Sequence, residues 1–401
     1  MTLLHGKNYG RPTLDLNFAE NKSLIDTVTG RNLITFSRSQ SGKEATYVGS
    51  DGLIKYAGAD EPRFDYDPVS GVCKGLLIEE QRTNGVFQSG QIGATPWVLV
   101  GSGTANLNAA IAPDGTLTAT RIQANTYISG NTHGFGSNGC QSIFVKADST
   151  SIIDIRNVNN SNWLRFDIDL GTITPIGASV VYSQEKIEYF ANGWARISYF
   201  GGTGSAFVFR TIPTTETIFV WGAQAELGSF PTSYIPTSGA QVTRNADEAS
   251  ITGTNFSSWY NQSEGTLFTD CISTGGGSAN VFYSGLFWNT TFNQAFGVAA
   301  TKVGLGNAGP YAYVNGGNQA WQPFLALSIP NGGRIKSCLA GSNNNMAYTA
   351  NGILPSTTND VTMPTAVDQA SFNSYPINGT ISRLTYWPKR LPDLELQQLT
   401  K

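Results

Sequence analysis

The feature that most constrains this chain is its punctuation. Short apolar stretches rich in Val, Ile, Phe, Tyr, Trp and Thr recur throughout, and each is closed by Gly, Asn, Asp or Pro before a second helical turn could form. Leu14, Leu16 and Phe18 alternate with polar residues, as do Trp194 to Tyr199 and Glu264 to Asp270. Alternation with a period of two is the pattern of a strand buried on one face. With 45 Gly and 17 Pro in 401 residues, turns are frequent enough to separate many such strands. The expectation is an all-β chain of tandem β-sandwich or jelly-roll modules with a short C-terminal helix. That helix is expected over Leu391 to Leu399, opened by Pro392, with Leu394, Leu396 and Leu399 turned inward.

Three modules are expected along the chain. Residues 1–88 read as an N-terminal attachment or assembly region, 89–250 as a carbohydrate-binding-module-like β-sandwich, and 251–401 as a concanavalin A-like jelly roll. Thr237 to Ser250 is polar and bounded by strands, as a linker would be. Trp194, Trp221 and Trp387 lie in strand patterns and are expected in cores.

Charged residues make up 13% of the chain, about half the ~25% of an average soluble protein, and the net charge is −3. Phosphate neutralisation needs a basic stripe, so nucleic acid is not expected as a partner. No apolar run reaches the ~18 residues of a membrane span, so no membrane insertion is expected. The opening residues lack the charged, then apolar, then small pattern of a secretory leader. The expectation is therefore synthesis in a cytosol, with lysis or virion assembly delivering the chain outside.

No catalytic, cofactor or metal site is expected. Cys73, Cys140, Cys271 and Cys338 form no Cys-x-x-Cys pair, and the chain has two His, so a zinc site has too few ligands. Cys271 and Cys338 could meet across a sheet, although free buried thiols are favoured. Asp65-x-Asp67 followed by Gly71 lacks the downstream bidentate Glu of a calcium loop. Glu79 and Glu80 are adjacent, so on a strand they point to opposite faces and cannot flank one glycosidic bond. Asp167 and Asp169 share a strand parity, but Asp169-Leu170-Gly171 reads as a turn. His5 and His133 lie in a terminus and a Gly-rich loop, without a Gly-x-Ser-x-Gly elbow.

The positive signal is aromatic residues beside amides and glycines in the third module. Sugar rings offer apolar C–H faces to aromatics and hydroxyls to amides. Tyr283, Trp288, Tyr311, Tyr313, Asn318 and Trp321 form the candidate glycan-binding set. Tyr311 and Tyr313 share a strand parity just before Asn315-Gly316-Gly317.

Several blocks resemble a known family in order along the chain. They are Arg31 to Phe36; Ala45-Thr46-Tyr47-Val48 with Asp51-Gly52; Phe64-Asp65-Tyr66-Asp67-Pro68; Gly75 to Asn84; Trp221 to Gly228; Ser233-Tyr234-Ile235-Pro236-Thr237; and Val242 to Asp247. Together with the Ile381 to Trp387 strand and Leu-rich tail, they resemble bacteriophage tail-fibre and virion structural proteins with concanavalin A-like (laminin G-like) and carbohydrate-binding-module-like jelly rolls. The match departs at Asn84-Gly85-Val86-Phe87, where two leucines would follow the Asn. The resemblance implies a non-enzymatic tail fibre or capsid-attached fibre. It would assemble in the host cytoplasm, act extracellularly at the host surface, and recognise host-surface polysaccharide. Its implied partners are other virion proteins and further copies of itself, with a trimer as the implied homo-oligomer. A capsid decoration protein making only protein–protein contacts and a polysaccharide depolymerase are the alternatives.

Overall fold

The structure is a computed structural model. It describes residues 10–401 apart from 40–41, 43, 133, 136–137, 157–161, 178–182, 202–205, 274–280, 292, 303–308, 316–319, 322, 324, 326–332 and 373–377. Every strand pair among the described residues is antiparallel, and all but two of the sheets belong to two sandwiches, so the all-β expectation holds.

The larger sandwich packs an eight-stranded sheet on a seven-stranded one. In the first, the order is Ser356–Thr358, Asn345–Ala350, Arg334–Ser342, Glu264–Ser273, Gly379–Trp387, Cys73–Ile78 and Phe64–Tyr66. Leu14–Leu16 also pairs with Gly379–Trp387. In the second, the order is Thr35–Ser37, Glu248–Thr252, Gln369–Ser371, Val281–Trp288, Ala295–Lys302, Gly309–Asn315 and Ala320–Trp321. Leu16, Leu267, Leu339 and Leu384 meet Ile251, Phe287, Phe296 and Val314 in the core between them.

The smaller sandwich has two six-stranded sheets. The seam sheet runs Ser183–Tyr189, Trp194–Phe200, Gly139–Ala147, Ile218–Leu227, Ala119–Gln123 and Thr104–Ala110. The distal sheet runs Thr172–Ile176, Trp163–Asp167, Ile152–Arg156, Ala206–Ile212, Tyr127–Thr132 and Val98–Val100. Ile143, Val145 and Ile197 pack on Ile153, Ile155, Phe166 and Phe209 between them.

Strand pairing corrects the expected succession of three modules. Residues 1–88 do not stand apart: Leu14 pairs with Tyr386, Leu77 with Thr380, and Phe36 with Ala249. The smaller sandwich interrupts the larger one. The chain leaves along Arg82–Asn84 and returns along Val242–Arg244, and these two strands pair with each other as a neck. Leu14, Leu16 and Phe18 are too few to bury themselves, so they take their partners from the far end of the chain. The region read as a linker supplies Val242–Arg244 of the neck and Glu248–Thr252 of the seven-stranded sheet.

The C-terminal helix spans Asp393–Leu399 with Pro392 at its N-cap. Leu396 and Leu399, three residues apart, pack with Phe268, Cys338 and Trp387 on the outer face of the eight-stranded sheet. Leu394 is exposed, contrary to expectation, because two residues back from Leu396 is the far side of a helix. Trp194, Trp221 and Trp387 are buried as expected. All four cysteines are free. Cys271 faces the sandwich core and Cys338 faces the helix, on opposite sides of one sheet.

Gly75 shows how tightly the N-terminal strands are woven in. Its φ is +117°, and a Cβ there would lie 2.1 Å from the backbone oxygen of Ile381 on the neighbouring strand. Gly75→Ala is expected to cost about 1–3 kcal/mol, read as a lower midpoint in urea unfolding.

Candidate functional site

The motif-like blocks converge on the neck. Asp247 accepts from Arg38 Nη1 at 2.9 Å, from Arg63 Nη2, and from the backbone N–H of Glu79 at 2.9 Å. The Glu79 carboxylate takes Arg63 Nη1 at 2.8 Å and Arg244 Nη1 at 3.0 Å. It also accepts from the N–H and the hydroxyl of Ser233, both at 2.7 Å. Arg38, Arg63 and Arg244 are all fully buried. Burial alone would push the Glu79 carboxyl up, but Arg244, Arg63 and Ser233 outweigh it and bring it down to about 2.

Asn84 completes the joint. Its amide donates to the carbonyls of Ala223 and Ile235, and its oxygen accepts from the N–H groups of Val86 and Ala225. All its bonding capacity is used. Val86, where the family pattern would place a leucine, is buried in the smaller sandwich's core. These blocks therefore do architectural work, clamping one sandwich to the other.

Beside the clamp lies a cleft of about 310 Å³, bounded by Tyr47, Lys74, Glu188, Phe190, Arg196 and Phe230 among others. Asp65 opens onto it, raised by burial against the pull of Lys74. Burial would raise Glu188 too, but Lys186, Lys74 and Arg196 bring it below the usual range. One carboxyl raised and another lowered is the arrangement that acid–base hydrolysis uses. Here, however, Asp65 accepts from the Val48 N–H at 2.8 Å and pairs with Lys74 at 2.5 Å. Glu188 pairs with Lys186 at 3.3 Å. Asp65 is committed to holding strands together, and Glu188 to a pair within its own strand.

The predicted aromatic set falls on the seven-stranded sheet. Phe287, Phe296 and Val314 form one cross-strand row and face the core. Trp288, Ala295 and Asn315 form the next, so alternation places them on the outer face. Leu286, Gly297 and Tyr313 form another outer row. Trp288, Tyr313 and Asn315 are half-buried there, and Asn315 donates to the Tyr313 hydroxyl at 3.2 Å. The strand between them offers only Ala295 and Gly297 to this face, and both are buried beneath their neighbours.

Trp321 pairs with Val314 and packs against the core side of the sheet, so it does not join Trp288 and Tyr313. The backbone of Tyr283 lies opposite Ala299, and that of Ala299 opposite Tyr311, while the side chains of both tyrosines lie outside the described residues. Asn318, His5 and His133 also lie outside them. Among the described residues no cluster of His, Cys, Asp and Glu could hold a metal ion. The sequence reading missed the neck arginines and the cleft. The strand parity of each residue was readable, but the partners lie on segments distant in sequence.

No protein-family model and no curated protein matches the chain. Among solved structures, it is similar to the CBM40 of a Ruminococcus gnavus IT-sialidase bound to alpha2,3 sialyllactose. That match has 18% identity over 37% of this chain and 88% of the other, with a TM-score of 0.31. Mouse laminin alpha1 domains LG4-5 match at 9% identity over 78% of this chain and 88% of theirs, with a TM-score of 0.22. Domain 4 of an extracellular arabinanase from Geobacillus stearothermophilus, in complex with arabinotriose, matches at 9% identity over 43% and 81%, with a TM-score of 0.32. Likenesses this distant carry no weight for the activity of this chain.

Proposed function

We propose that the chain is a non-enzymatic glycan-recognising component of a phage virion, and that it binds host-surface polysaccharide on the outer face of the seven-stranded sheet. The observation that carries this is the pair of outer rows that set the half-buried Trp288, Tyr313 and Asn315 on one face. Aromatic walls take the C–H face of a pyranose, and the Asn315 amide and the Tyr313 hydroxyl supply polar partners for its hydroxyls. Trp321 drops out of the proposed set, since its side chain belongs to the core. The virion assignment is supported by the ordered sequence blocks, which form the clamp between the sandwiches.

Binding to purified host envelope polysaccharide tests this reading, together with an assay for new reducing ends. Retention without release of reducing ends is expected. Trp288→Ala and Tyr313→Ala are each expected to weaken binding about tenfold, which corresponds to ~1.4 kcal/mol. Unchanged binding by both variants would remove the site, and steady release of reducing ends would make the chain a depolymerase.

A further inference from the structure

The distal sheet turns a group of arginines away from its own core. Ile153, Ile155, Leu164, Phe166 and Phe209 face inward. Alternation therefore places Asp154, Arg156, Trp163, Arg165 and Arg210 on the opposite face. Register aligns Arg165, Asp154 and Arg210 in one row across three strands, and sets Trp163 opposite Arg156 in the next.

Asp154 is fully buried and holds both neighbouring arginines side-on. Arg165 donates Nε to Oδ1 at 2.8 Å and Nη2 to Oδ2 at 3.1 Å. Arg210 donates Nε and Nη2 to Oδ2 at 3.1 and 2.9 Å. Neither Nη1 takes part in these bonds, and the two side chains remain 31% and 25% exposed. The Arg210 guanidinium also stacks 4.2 Å from the Trp163 ring centroid, and that of Arg156 lies 5.9 Å from Tyr127. Arg165 and Arg210 are thus each held side-on with the Nη1 edge turned away from Asp154.

Asp167 shares this face, but its Oδ1 accepts from Ser151 and from the N–H groups of Asp169 and Leu170. Arg165 and Arg210 share the one carboxylate of Asp154, so this row carries net positive charge on a chain whose net charge is −3. A guanidinium edge fits a carboxylate with two parallel hydrogen bonds. Arg165 and Arg210 lie two strands apart, about 10 Å, which is a local patch rather than the long basic stripe that a nucleic acid backbone needs.

We infer that this face is a second ligand site, and that it takes an acidic saccharide whose carboxylate sits on the outward edges of Arg165 and Arg210. It is separate from the Trp288–Tyr313 surface and stands or falls independently of it. Affinity electrophoresis of the full chain through gels containing alginate, with dextran gels as the neutral control, tests it.

Retardation by alginate alone is expected, fading as salt rises from about 50 to about 500 mM. Arg165→Gln should weaken it at least tenfold, while Arg210 still pairs Asp154. The double variant Arg165→Lys, Arg210→Lys keeps the charge opposite Asp154, so it should fold, yet it should lose as much for want of the forked edge. Lys55→Gln, in an exposed pair away from both surfaces, should leave alginate retardation unchanged. Free migration of the unaltered chain in alginate would overturn the inference. So would equal retardation of the arginine variants, or retardation by single-stranded DNA as strong as by alginate.

Discussion

Replacing Asp247 with alanine is expected to cost about 3–5 kcal/mol and to lower the thermal midpoint by several degrees, because it strands the buried Arg38 guanidinium and takes one of two carboxylates from Arg63. Arg38 would keep the carbonyls of Gly58 and Glu61, at 2.6 and 2.9 Å, but no carboxylate. Arg63 would keep Glu79. The Glu79 N–H, now bonded to Asp247, would lose its acceptor in a buried site. Differential scanning calorimetry with Asp51→Ala as the control checks this, since the Asp51 pair with Lys55 is exposed and worth little. Equal midpoints for the two variants would show that the clamp contributes nothing.

Acid should open the same joint. Glu79 is brought from 4.5 to about 2 in the folded chain. A carboxyl with a depressed folded value stabilises the fold fully above its unfolded value. That stability disappears as pH falls through the folded one. Here the window runs from about pH 4.5 down to about 2, and the loss is about 3 kcal/mol. Asp65, raised by burial, acts in the opposite sense, so the unaltered chain alone would blur the effect. Comparison with Glu79→Gln isolates it. The stability gap between the two proteins, measured in urea, should shrink by about 3 kcal/mol between pH 5 and pH 2. A gap that stays constant across that range would contradict the assignment.

Nothing in the local sequence marks either position as part of a buried clamp. Arginine is seldom fully buried, so nothing local marks Arg38, Arg63 and Arg244 as core residues. Their carboxylate partners come from segments far along the chain, Asp247 being 209 residues from Arg38. The same limit explains the module boundaries. Leu14-Asp15-Leu16 was legible as a strand from its alternation, but its partner Tyr386 lies at the other end of the chain. A period of two tells a strand which face to bury and does not name its neighbour.

Where the pattern is local, the reading held. The C-terminal helix and the buried Trp387 were both visible in the sequence. Trp321 was misplaced because its face depends on how its strand registers against Val314, which composition does not encode.

Glycan recognition on the seven-stranded sheet is the centre of the functional account. A glycan array probed with the full chain and with the Trp288→Ala, Tyr313→Ala double variant tests it most directly. The account predicts selective binding by the unaltered chain and its loss in the double variant, with near-ultraviolet circular dichroism unchanged apart from the lost aromatic signals. Binding of equal strength and pattern by both proteins, or by neither, would contradict it.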